Sequence, residues 1–152
     1  MLERPRPTLH LVKLCVGTES IEDLRVWQSG RSADRLARGL DPRPRHVTRM
    51  WPRRADALLA GGSLYWVIRG AIQVRQRIAG LEAVTGEDGI RRCAIVLEPA
   101  LVPTALRPRR PFQGWRYLAA ADAPPDIGSA PGEDPDLPPG LREALSKFGV
   151  LP

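Results

Sequence analysis

Apolar and polar positions alternate along several stretches of the chain and recur at helical spacing along two others. From Thr8 to Cys15 both alternating faces are apolar apart from His10 and Lys13, which predicts a strand in the interior of a sheet. Ser20 followed by Asp23 has the spacing of a capping box. Ile21, Leu24 and Trp27, then Leu36 beyond Ser29-Gly30, form a helical stripe that stops before Gly39 and Pro42. Arg45 to Met50 alternates as a short strand, with His46, Thr48 and Met50 on one face. Pro52 opens a short helix whose apolar side is Ala55, Leu58 and Leu59, and Gly61-Gly62 ends it. A long strand is predicted from Ser63, with Trp66, Ile68, Ile72, Val74 and Ile78 on one face and Tyr65, Arg69, Gln73, Arg75 and Arg77 on the other. Gly70 in its middle predicts a bulge or bend. Beyond the turn at Glu87-Asp88-Gly89, strands are predicted at Arg92 to Leu97 and Gly114 to Leu118.

This order of elements predicts an α+β fold with a bent, mostly antiparallel sheet and two helices inserted early, spanning residues 1–118. From Ala119 the character changes. Pro124, Pro125, Pro131, Pro135, Pro138 and Pro139 are interleaved with Asp122, Asp126, Glu133, Asp134 and Asp136. Proline cannot donate to a sheet ladder and the segment has little to bury, so residues 119–152 read as an acidic, extended tail with a short helix near Leu141 to Phe148.

A length of 152 residues suits one domain that buries a core without staples. The net charge of +6 favours an anionic partner. Lys13 and Lys147 are the sole lysines, which makes codon usage a rival explanation to phosphate binding for part of the arginine load. Cys15 and Cys93 have the spacing of neither a zinc knuckle nor a disulfide framework, and read as small buried hydrophobes in a reducing compartment. The N-terminus lacks a signal-peptide pattern and no apolar run is long enough to span a bilayer. The expectation is a cytoplasmic protein with no membrane partner.

Candidate chemistry concentrates in Arg107 to Leu118, where arginines alternate with large rings. Guanidinium groups grip phosphate oxygens and stack on ring faces. Phe112, Trp115 and Tyr117 are either platforms for unpaired bases or plugs for the core. The residues expected to meet RNA or a nucleotide are Arg49, Arg53, Arg54, Arg75, Arg110, Gln113, Trp115 and Arg116, with arginines on phosphate, Trp115 stacking and Gln113 reading a base edge. A second candidate is a pocket built from Lys13, His46, Thr48 and Glu98, which would suit a small hydrolase acting on a modified nucleoside or RNA. Its rival is a strand whose His46 and Thr48 are half-buried. A third class is a protein-interaction module, since tryptophan and arginine also dominate interface hot spots. Two histidines far apart offer no metal-ligand spacing and Gly61-Gly62-Ser63 is no P-loop, so neither metal nor cofactor is expected.

The segments His46-Val47-Thr48-Arg49-Met50-Trp51-Pro52, Gly61-Gly62-Ser63-Leu64-Tyr65-Trp66-Val67-Ile68, Arg75-Gln76 and Arg110-Pro111-Phe112-Gln113-Gly114-Trp115-Arg116-Tyr117-Leu118 resemble an uncharacterised alphaproteobacterial family known as a domain of unknown function. The likeness runs nearly to Leu118 and implies no activity or catalytic residue. The element order also resembles the small pseudo-barrels of the PUA, ASCH and EVE group. That resemblance implies a barrel-like sheet and an RNA or modified-base ligand.

Overall fold

The computed structural model describes residues 8–127. The acidic segment beyond Ile127 and the expected helix from Leu141 to Phe148 lie outside the described residues. The elements in chain order are β1 (Leu9–Leu14), α1 (Ile21–Ala37), β2 (Arg45–Thr48), α2 (Ala55–Leu59), β3 (Ser63–Ile68), β4 (Ala71–Thr85), β5 (Arg91–Leu97), β6 (Val102–Pro108) and β7 (Trp115–Ala119), followed by a short 3-10 turn at Ala120–Asp122. The fold is α+β, and no helix among the described residues is long and apolar enough to cross a membrane.

The strands form one mixed sheet in the order β2-β5-β4-β3-β1-β7, with β6 also paired to β4. Every pairing is antiparallel except β1 with β3, whose parallel register is made possible by the α1 crossover. β1 therefore lies inside the sheet, as its two apolar faces predict. The path is open: β2 and β7 end it, so hydrogen bonding does not close the pseudo-barrel expected from the element order. Curvature comes instead from β4, which runs first between β3 and β6 and then along β5, its partner changing from Val102 opposite Arg75 to Leu97 opposite Ile78.

The single long strand expected from Ser63 is a hairpin. Arg69 and Gly70 form its two-residue turn, with φ of 53° and 80°, and Ile68 pairs with Ala71. Two successive left-handed residues match the right-handed twist of the flanking strands, which a bulge at Gly70 would not require. The bulge falls at Gln73 instead, where one extra residue of β4 lies between the Val67–Ile72 and Trp66–Val74 pairs. As a result Ile72 packs with Val12, Tyr65, Val67 and Leu118 on one face, while Trp66, Ile68, Val74 and Ile78 pack on the other with Leu9, Leu11, Leu24, Leu58, Leu64, Ile95 and Trp115. β6 was not expected, because Pro103 and Pro108 hid its period.

The start of α1 follows the capping chemistry: the Ser20 side chain accepts from the Asp23 amide at 3.0 Å, and Asp23 accepts from the Glu19 amide at 3.1 Å. The buried stripe is Ile21, Leu24 and Gln28, whereas Trp27 and Leu36, expected inside, are 51% and 64% exposed. A Cβ on Gly62 would strike the carbonyl oxygens of Leu9 and Leu58, so only glycine lets α2 turn this closely onto β1. α2 itself begins at Ala55, three residues after Pro52, and buries Ala57 and Leu58.

Candidate functional site

The loop joining β6 to β7 returns the chain across the sheet edge. It is tied down where the Arg109 amide donates to Gly70 O at 2.9 Å, in the β3-β4 turn. On it Phe112 is half-buried, with the Arg109 guanidinium 5.5 Å and the Arg116 guanidinium 5.3 Å from the ring centroid. Arg116 also donates to Gln113 O at 2.6 Å, which holds its fork beside the ring. Pro108, Arg109, Arg110, Pro111, Phe112, Arg116 and Tyr117 line a shallow hollow of about 560 Å³. None of the ion pairs among the described residues uses Arg109, Arg110 or Arg116.

Of the residues expected to meet nucleic acid, Arg110, Gln113 and Arg116 share this loop and strand, and all three are exposed. Trp115 is a correction. Its ring is 7% exposed and belongs to the core, its Nε1 donates to Met50 O at 3.2 Å, and it meets Tyr117 edge-on, with centroids 5.0 Å apart. Alternation along β7 sends Trp115 inward and Arg116 outward, so no face of the indole is left for a base. Arg53 and Arg54 are exposed, and the Arg54 amide donates to the Tyr117 hydroxyl at 3.1 Å, which places the start of α2 beside the hollow. Arg75 is engaged elsewhere: its fork takes both Asp126 carboxylate oxygens at 2.8 and 2.7 Å and the Ser63 hydroxyl at 3.0 Å. Arg49 is exposed in a separate hollow with Trp51, Arg91 and Arg92.

The second candidate set is only partly assembled. Lys13 and His46 line one cavity of about 280 Å³ with Cys15, Thr18, Trp27, Gln28, Arg45, Trp66 and neighbouring apolar residues, but Thr48 and Glu98 are not in its lining. Lys13 lies opposite Trp66 of β3 and Trp115 of β7, and His46 meets Trp66 edge-on at 5.8 Å. Burial, and secondarily the Lys13 ammonium, holds the His46 imidazole at a pKa of about 4, so it is neutral near pH 7. Burial likewise lowers Lys13 and raises the Cys15 thiol, against the opposing effect of a hydrogen bond donated by the Thr18 hydroxyl at 2.7 Å. Behind the cavity, Gln28 and Gln76 exchange two amide hydrogen bonds of 2.8 Å. Gln76 Oε1 also accepts from Trp66 Nε1 at 2.9 Å, and its Nε2 donates to Glu98 O at 3.1 Å. Sequence reasoning missed Gln28 and Gln76. The available signal was a polar residue at a buried position, Gln28 four residues after Leu24 and Gln76 between Val74 and Ile78.

The arrangement can be set beside known proteins. A family model described as "Protein of unknown function (DUF1489)" matches residues 11–151. The chain belongs to this DUF1489 family. The match covers every strand and helix described above except the first two residues of β1. No curated protein and no solved structure matches the chain. DUF1489 membership therefore fixes kinship, and the reading of function rests on the chemistry of the residues.

Proposed function

We propose that this DUF1489 protein is a cytoplasmic RNA- or nucleotide-binding protein whose contact surface is the β6-β7 loop and the adjoining start of α2. The observation that carries the reading is the gathering of Arg109, Arg110 and Arg116 around Phe112 and Tyr117 with no carboxylate partner among the described residues. Elsewhere Arg25, Arg38, Arg43, Arg45, Arg75 and Arg92 each have an acidic partner. Unneutralised forks held against a ring suit phosphate oxygens, and the half-buried Phe112 and the 36% exposed Tyr117 offer edges to an unpaired base. Free Cys15 and Cys93 fit a reducing compartment. The resemblance of the element order to PUA, ASCH and EVE domains favours the same ligand class.

The test is fluorescence anisotropy of a labelled single-stranded RNA against the wild type and two double variants. Arg109→Gln with Arg110→Gln should weaken binding at least tenfold. Arg25→Gln with Arg38→Gln removes the same charge from α1 and its C-terminal cap and should leave affinity within about twofold, in keeping with the small worth of exposed ion pairs. Equal loss in both variants would make the binding a matter of net charge and defeat the proposed surface.

A further inference from the structure

Lys13 is the one lysine among the described residues, and it is half-buried in the wall of the 280 Å³ cavity. No carboxylate lines that cavity, and no ion pair among the described residues includes Lys13. Its neighbours are a neutral imidazole, a protonated thiol and the Gln28 amide. Arg45, in the same wall, spends its terminal nitrogens on Asp41 and Glu82, but its buried Nε has no hydrogen-bond partner. Partly buried cations and buried N–H donors are ordinarily paired, because an unpartnered one loses its hydration without replacement. Apart from Gly17 and Thr18, whose hydroxyl donates to Cys15 Sγ, the rest of the wall is apolar or aromatic: Leu14, Val16, Leu24, Leu97, Trp66, and Trp27 at half exposure.

We infer that this cavity is a binding site for a small planar anion, an aromatic or heteroaromatic ring carrying one carboxylate or phosphate, with its charge at Lys13 and its ring among Trp27, His46 and Trp66. The size agrees. A cavity of about 150 Å³ accepts benzene, so the present one has room for a substituted ring. Half-exposed Trp27 and 80% exposed Val16 form its rim. The site is distinct from the arginine surface: the two linings share no residue, and Arg116, opposite Val12, lies on the other face of the sheet from Lys13. It does not rest on the RNA reading.

The test is an NMR titration of the full chain labelled with ¹⁵N. The probes are nicotinate and orotate for the carboxylate arm and phenyl phosphate for the phosphate arm, with nicotinamide, uracil and phenol as neutral controls. The anions of at least one arm should shift the Trp27 and Trp66 indole N–H signals saturably, leave Trp51 in place, and bind at least tenfold more tightly than their neutral controls. Lys13→Met should reduce that affinity roughly 10- to 100-fold, as expected for a hydrogen-bonded charge. Trp27→Ala, at an exposed helical position, should also weaken it with the fold intact. The inference fails if no anion moves Trp27 and Trp66, if neutral controls bind equally well, or if Lys13→Met binds like the wild type.

Discussion

Replacing Gln76 by methionine removes its side-chain amide while nearly preserving length and volume, so it isolates the buried polar network from packing. Gln76 is fully buried, and its loss deprives four protein groups of partners: the Gln28 amide nitrogen, the Gln28 carbonyl, Trp66 Nε1 and the Glu98 backbone carbonyl. Each buried orphan costs about 1–3 kcal/mol, and Gln28 lies on the cavity wall where water reaches it, so we expect a loss of about 3–5 kcal/mol. Adding Gln28→Met removes two of those four orphans. The double variant should therefore be more stable than Gln76→Met alone by about 1–2 kcal/mol, a coupling that simple loss of contacts does not produce. Urea unfolding followed by far-UV circular dichroism gives the midpoints, provided the slopes agree. Additive losses, or a Gln76→Met loss below about 1 kcal/mol, would refute the argument that this network is satisfied and buried.

His46 has an ordinary pKa of 6.5 and about 4 in the folded chain, so the unfolded state binds the proton more readily. Its contribution is complete above pH 6.5 and is lost as pH falls towards 4, by up to about 3 kcal/mol; denaturation midpoints of His46→Phe should fall less over that window than those of the wild type. His10, also lowered by burial and by Arg75, leaves a residual slope in both proteins. Arg69 holds a left-handed backbone that asparagine tolerates better, so Arg69→Asn should raise stability by about 0.5–1 kcal/mol in the same assay. Gly62→Ala drives a methyl group into two backbone carbonyls and should lower the thermal midpoint by several degrees, with a ΔΔG above about 2 kcal/mol.

Local signals in the sequence located most of the elements. The Ser20 cap and the two apolar faces of β1 are complete statements in themselves, because each depends on neighbours a few residues away. Where long-range pairing decides, local reading falls short. The residues from Ser63 to Ile78 alternate equally well as one strand or as a hairpin, and a turn with arginine in a left-handed conformation carries no composition signal. Trp115 shows the same limit within the site: an aromatic beside arginines looks like a platform until the pairing of β7 with β1 sends it inward. Lys13 and His46 were both singled out, but the cavity that joins them comes from the α1 crossover and from Trp27, whose exposure contradicts its place in the helical stripe.

The surface reading is tested most directly by ultraviolet cross-linking of the whole protein to a 4-thiouridine-containing single-stranded RNA at near-physiological salt, with the attached peptides identified by mass spectrometry. Cross-links concentrated between Arg107 and Leu118 and around Arg53-Arg54, and abolished by Arg109→Gln with Arg110→Gln, are the expected result. Cross-links scattered over Arg25 and Arg31 on α1 and Arg38 at its C-terminal cap, or unaffected by that double variant, would show that the β6-β7 loop is a structural connection and not the contact surface.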